Sequence, residues 1–355
     1  MEHDFALSIH AYYVGELDAG RRACERLLSQ SLEESIEHVV RTNRTWYTRT
    51  LDQLLPCRFQ RLDVPPAFPG WSLFNPTILT YGNGFLAIVR SSNYVIVDGQ
   101  YRMPDEDAGT IRTCNQLLLL SPELAVLNCR ALADPEYPKT GFAVTGLEDC
   151  RLRFTDDGVS VSATVRDVSP FDGRCRIATA KVDVVNAAFT DLRVIDGLVS
   201  AENEKNWMPI PWQDRWVYAC SREGFVATVD ADPNLPGGYR LCQRSRSPAL
   251  ARGFRGGSQL VPLHGGWLCL IHEVAVFNEG GRAYEHRFVW FDEHLRLAKV
   301  SEAFAFRELR TIEFAAGLAT LGDRLVASFG VRDAEAWLAE MAMEDVWRLL
   351  SSPAM

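Results

Sequence analysis

Asp149 stands in the run Gly146-Leu147-Glu148-Asp149-Cys150-Arg151, where two adjacent carboxylates are followed by a guanidinium. A carboxyl group beside a cation can hold or release a proton, so this cluster suits general acid–base work. Further polar groups recur where strands meet loops: Asn75-Pro76, Arg90, Glu204-Lys205-Asn206-Trp207, Arg255-Gly256-Gly257-Ser258-Gln259, His272-Glu273, Glu313 before Phe314, and Asp333. Each has an ordinary reading taken alone. Asn-Pro opens turns, Arg90 can cap a strand in solvent, and Glu148-Asp149 with Arg151, like Glu204 with Lys205, can be an exposed ion pair of small energetic weight. His272 can be a satisfied half-buried histidine, and Asp333 can cap the segment after it. In a propeller, however, the inner strands converge on one channel, so one cluster per repeat would assemble a single site.

Two kinds of element must position these groups. Ile9, Tyr12, Tyr13, Leu17, Ala23, Leu27 and Leu28 recur at helical spacing, which predicts an α-helical extension over residues 1–55. The stretch from Ala11 to Leu28 looks like a single tetratricopeptide-type hairpin. One such repeat cannot bury its apolar face alone, so it should pack on the following domain. After Pro56 the texture changes to short β-branched and aromatic runs separated by Gly, Asp, Asn and Pro. A turn followed by an apolar run recurs at Gly84-Phe85, Gly158-Val159, Asp214-Arg215, Gly266-Trp267 and Asp323-Arg324. A module of about 50 to 75 residues suits one four-stranded blade with its loops. The expected fold is therefore all-β, a five-bladed β-propeller over 56–355 that ends in a short amphipathic helix, Met343 to Leu350. A β-sandwich is the competitor, but this stretch is long for one sandwich.

Bulk composition narrows the function. The chain has 355 residues, 47% hydrophobic and 23% charged, enough to bury a large core. Its net charge of -9 argues against a nucleic-acid partner, which would need clustered Lys and Arg. The start lacks the basic flank and apolar run of a secretory signal, and no apolar stretch is long enough to span a membrane, which predicts a cytoplasmic protein. Nine cysteines occur without a C-x-x-C pair, as buried free thiols would. Seven scattered histidines suggest no metal site.

Taken in order, Asn-Pro, a strand ending in Arg, Gly-x-Glu-Asp-x-Arg, Lys-Asn, Gly-Trp-Leu-x-x-x-His, Glu-Phe-x-x-Gly and Gly-x-x-Asp are similar to glycoside hydrolase family 130, the mannoside phosphorylases and β-mannosidases. The resemblance covers residues 70 to 340. Gly146 to Arg151 resembles the family's Gly-x-Glu-Asp-Pro-Arg, Gly266 to His272 its Gly-Trp-Leu-x-x-Tyr-His strand, and Gly330 to Asp333 its Gly-Ala-Ala-Asp segment. Carried over, the resemblance implies an inverting enzyme that acts on a β-mannoside-type or related oligosaccharide or glycoconjugate. Asp149 becomes the proton donor. Asn75, His272 and Asp333 become sugar-pocket residues, and Arg90, Arg151 and Lys205 face the phosphate or the sugar next to it. Glu148, Asn206, Glu273 and Glu313 stand beside them as candidate substrate-binding residues, and Arg222 as a candidate for holding phosphate. It implies no cofactor beyond inorganic phosphate as a co-substrate. Phosphate is already an anionic nucleophile, so phosphorolysis needs one acid plus cations, whereas water needs a second carboxylate as base.

The chain departs from the family pattern in ways that keep the reaction open. Cys150 replaces a Pro, Ser221-Arg222 stands where phosphorylases show His-Arg-Pro, and Glu273 replaces a Gly. Glu204, Glu273 and Glu313 are candidate bases for a hydrolase, and a glycosyl transferase stays open as well. The flanking pattern, with Tyr284 to Val289 and Ile312 to Gly317, is similar to bacterial propellers associated with glycan assembly. A non-catalytic propeller that binds a glycan or a protein is the alternative of a different class; its polar clusters would not converge. Specificity is expected in the loops 97–113 and 230–254. The helical extension is the surface a second copy would use in a homo-oligomer.

Overall fold

The computed structural model describes residues 1–351 apart from 98–99, 104–108, 138–140, 169–172, 196–197, 199–201, 236 and 278–280. Parts of both expected specificity loops therefore lie outside the described residues.

Strand Gly84–Ser92 is buried along its whole length. Side chains alternate across a strand, and the two faces of this one feed different cores. Phe85, Ala87 and Val89 pack with Leu118, Val326 and Leu338, while Leu86 and Ile88 pack with Leu117, Leu152 and Val161. Strand Gly266–Val276 does the same, with Cys269 and Ile271 on one side and Leu268 and Leu270 on the other. Sheets stacked face to face in this way make a propeller-like arrangement.

Four sheets have the regular form of a blade. They are Ser72–Tyr81, Gly84–Ser92, Ile111–Leu120 and Val126–Ala131, with Val144–Thr145 added; Glu148–Thr155, Gly158–Val165, Arg176–Asp183 and Ala188–Ile195; Met208–Pro209, Arg215–Arg222, Phe225–Ala231 and Tyr239–Arg246; and Cys57–Arg61, Glu335–Ala342, Arg324–Val331 and Glu313–Leu321. In the last, the strand from the start of the chain pairs antiparallel with the strand near its end, Cys57 opposite Met341, which ties the two ends together. Of the two remaining sheets, Val95–Val97 and Gln100–Arg102 form a two-stranded one, and the other has seven strands centred on Gly266–Val276 and Arg282–Phe291 and includes Arg49–Thr50 from the helical segment. The expected count of five blades thus meets four regular ones and a larger sheet of different make.

Helices α1 (Glu2–His10), α2 (Leu17–Leu28) and α3 (Glu34–Arg44) precede the sheets. The tetratricopeptide-type hairpin expected over Ala11 to Leu28 is not formed: residues 11–15 are the turn between α1 and α2, and only α2 falls within that stretch. Cys24, Leu27 and Leu28 of α2, Val40 of α3 and Tyr47 share one core with Val217, Leu250, Cys269, Ile271 and Val289. Each fully buried aliphatic side chain is worth about 1.5–3 kcal/mol, so this contact fixes the helices on the sheets. The chain closes with the helix Met343–Ser351. The nine cysteines are unpaired. Among the described residues, no helix is long and apolar enough to cross a membrane.

Candidate functional site

A cleft of about 630 Å³ is lined by residues from all five large sheets, including Asn75, Arg90, Glu148, Asp149, Lys205, Asn206, His272 and Asp333. The residue types that the sequence scatters over some 260 positions therefore meet in one place.

Local backbone explains how they reach it. Asn75, Asp149, Asn206 and Asp333 all have left-handed φ, of 46°, 50°, 62° and 50°. For L-residues this conformation costs about 1–2 kcal/mol, and Asn and Asp tolerate it best among residues with a Cβ. Two of the four lie in β-bulges. The register slips between Phe74 and Thr77 opposite Arg90 and Ile88, and between Glu148 and Arg151 opposite Thr164 and Ser162. A bulge re-aims a side chain out of the ladder, and here it turns Asn75 and Asp149 towards each other. Gly330 is required beside them because a Cβ there would meet Asn75.

Asn75 Nδ2 donates to Asp149 Oδ1 at 2.9 Å, and Arg90 Nη1 donates to the same oxygen at 3.0 Å. Arg90 Nη2 donates to Glu148 Oε1 at 2.7 Å, and the guanidinium lies 4.9 Å from the centre of the Phe74 ring. Tyr94 donates its hydroxyl to Asp333 Oδ2 at 2.9 Å. Three carboxyls thus surround one arginine, and their proton affinities separate. Burial acts to raise Asp149, but Arg90, Asn75 and Arg151 outweigh it and hold the carboxyl below its ordinary value. Burial lifts Glu148 against the pull of Arg90. Burial also pushes Asp333 up to about 6, with Arg90 opposing and Asp149 reinforcing. In the free protein Asp149 is a carboxylate at neutral pH, whereas burial makes Asp333 keep its proton to a higher pH than an ordinary aspartate.

His272 is buried, stacked on Tyr284 at 5.1 Å and edge-on to Phe314. Burial, then the neighbouring His286 and Arg255, hold it well below the usual histidine range, so it is a neutral imidazole. Lys205 and Arg255 are exposed on the cleft wall and carry no ion pair or hydrogen bond from their charged ends among the described residues.

Four expected site residues do not line the cleft. Arg151 is buried behind it. Its guanidinium donates to Gly257 O at 2.5 Å, Asp149 O at 2.9 Å and Asn206 Oδ1 at 3.1 Å, so it positions two lining residues rather than facing an anion. Glu273 points to the other face of its strand, where Arg41, Arg44 and Arg287 surround it. Glu313 accepts the backbone N–H groups of Phe306, Arg307 at 3.0 Å and Glu308 at 2.9 Å. Burial pushes it up to about 7, against those hydrogen bonds. Arg222 pairs with Glu202 at 3.0 Å outside the cleft. Of the three candidate bases, only Glu204 is a lining residue.

Tyr94, Tyr101, Arg166, Tyr218 and Arg282 also line the cleft, and their residue types carry no signal of it in the sequence. Aromatics inside apolar strand-like runs read as core, and nothing in their spacing marks them otherwise. Among the described residues, no group of three or more His, Cys, Asp or Glu could hold a metal ion.

Fold and site together define a mostly β, propeller-like protein with a few packed helices and a carboxylate- and arginine-lined cleft. Solved structures share this fold. One is a β-1,2-mannobiose phosphorylase from Listeria innocua, which matches with 17% identity over 85% of this chain and 98% of that one, at a TM-score of 0.51. Another is a glycosyl hydrolase from Bacteroides ovatus, with 14% identity over 84% and 97% of the two chains and a TM-score of 0.55. No protein-family model and no curated protein matches the sequence.

Proposed function

We propose that the protein is a carbohydrate-active enzyme that cleaves or forms a glycosidic bond of a β-mannoside-type glycan in this cleft, with the seven-stranded sheet serving as a fifth blade. The observation that carries the reading is the meeting of Asp149, Glu148 and Asp333 around Arg90 in one cleft. The shared fold of a mannobiose phosphorylase agrees with it.

Asp149 is the proton donor, aimed by its bulge and held by Asn75. It is ionised while Arg90 and Asn75 hold it, so protonation must be coupled to binding. An incoming phosphate that competes for Arg90, supported by Lys205 and Arg255, removes the charge that holds Asp149 low. Burial then raises its proton affinity, and the acid is loaded only when the nucleophile is present. Inverting phosphorolysis follows, with phosphate attacking the anomeric carbon as the departing sugar oxygen takes the proton. Asp333, Glu148 and Asn206 bind hydroxyls.

A hydrolase is the second reading, favoured by the placement of Glu204 on the cleft wall, where it could activate water. A screen of β-mannosides and sugar donors, with and without phosphate, separates the reactions. Release of sugar 1-phosphate only with phosphate supports the first reading. An unchanged rate without phosphate, abolished by Glu204→Gln, selects the hydrolase, and turnover only with a nucleotide-sugar donor selects a transferase. No turnover under any condition contradicts the proposal.

A further inference from the structure

A second cavity, about 540 Å³, lies beside the cleft and is walled by α3 and by the segment Ala249–Gly253. Phe254 and Arg255 line both cavities. Their floor is continuous as well. On strand Gly266–Val276, His272 lines the cleft and Val274 lines the second cavity. Residues two apart point to the same face and lie about 7 Å from one another. Arg255 pairs in register with His272, so it stands on the rim between the two spaces.

The other face of the same strand explains why α3 is there. Glu273, between His272 and Val274, takes Arg41 and Arg44 of α3, and Arg287 completes its shell at 2.6 Å. Arg44 also binds Glu285 at 2.6 Å, and Arg287 binds Glu25 of α2 at 2.7 Å. Buried ion pairs give little net stability because desolvation offsets the attraction, but they tolerate few alternative arrangements of the groups involved. Gly253 shows how close the approach is: a Cβ there would meet the Arg41 guanidinium. The network therefore holds a helix from the first part of the chain against the rim of the cleft. Towards the second cavity that helix presents Glu34 and His38, both exposed and with no side-chain partner among the described residues. With Arg255, they offer a carboxylate acceptor, an imidazole and a guanidinium donor in one space, a set suited to the mixed donor and acceptor hydroxyls of a sugar.

We infer that the cleft continues across Arg255 onto α3, and that this second cavity binds the outer units of a saccharide chain whose reacting linkage lies at Asp149. The inference rests on the function proposed above and adds to it a preference for longer chains set by the helical segment. Binding by the uncleaving Asp149→Asn protein tests it, with β-mannooligosaccharides from the disaccharide to the hexasaccharide titrated calorimetrically. Affinity should tighten about tenfold with length, and the gain should vanish when Glu34→Ala and His38→Ala are added. These substitutions lie on an exposed helix face, so folding is checked simply by an unchanged melting temperature. Equal affinity for all lengths, or a length dependence that persists in the altered protein, overturns the inference alone. If no mannooligosaccharide of any length binds, the proposed function fails and the inference fails with it.

Discussion

Asp333 and Asp149 are chemically the same side chain in one cleft, yet burial raises the first to about 6 while Arg90 and Asn75 hold the second low. For Asp333 the folded value exceeds the ordinary 3.8, so the folded form keeps a proton that the unfolded chain has released. The resulting cost to folding is absent below about pH 4 and complete above about pH 6. Asp333→Asn should therefore stabilise the protein by about 1–3 kcal/mol near neutral pH, with the gain fading as pH falls towards 4, as denaturant titration at the two pH values would read. Among the described residues Lys205 has no competing ion pair, and it is expected to meet the anion directly. Lys205→Ala should raise the KM for phosphate about tenfold or more and change kcat less, measured in steady-state phosphorolysis. The lining residues Asn75, Arg90, Asp149, Lys205, His272 and Asp333 were legible as residue types at strand ends. Glu273 and Glu313 were misplaced for a simple reason. Each is one residue from a lining neighbour, His272 or Phe314, and in a strand one residue is enough to reverse the face.

Among the elements, apolar strands such as Gly84–Ser92 and Gly266–Val276 were readable, whereas Val126–Ala131 and Tyr239–Arg246 were not. These two are largely exposed or half-buried, so they lack an apolar signal. Ser72–Tyr81 and Glu313–Leu321 were hidden differently, by an Asn-Pro that reads as a turn and by a run of Ala and Gly with weak strand preference. The buried ion network was unreadable because its members lie more than 200 positions apart, in α3 and in the seven-stranded sheet. Glu273→Ala leaves Arg41, Arg44 and Arg287 without their shared partner. Such a loss costs about 3–5 kcal/mol, expected as a large drop in the denaturation midpoint with little change in its slope. Gly330→Ala should lower both stability and kcat/KM, because the added methyl meets the backbone N of Asn75 as well as its side chain and displaces Asn75 from Asp149; a thermal melt and steady-state kinetics read the two effects.

At the scale of the whole molecule, repeat spacing revealed an all-β, propeller-like body, while the blade count depended on packing that no local pattern records. The seven-stranded sheet recruits Arg49–Thr50, and the apolar face of α2 and α3 is part of its core. Deletion of residues 1–55 should therefore give insoluble or loosened protein rather than an intact propeller, judged by loss of a cooperative melting transition. The cleft depends on the same assembly, since its lining comes from every large sheet. The proposed role of this assembly is to let Asp149 deliver a proton to a glycosidic oxygen. Its most direct test is the rate of sugar 1-phosphate release from a β-mannoside in the presence of phosphate, wild type against Asp149→Asn. Phosphate-dependent release is expected, falling by about 10²–10⁴-fold in the variant with folding intact. Undiminished turnover by Asp149→Asn would contradict it.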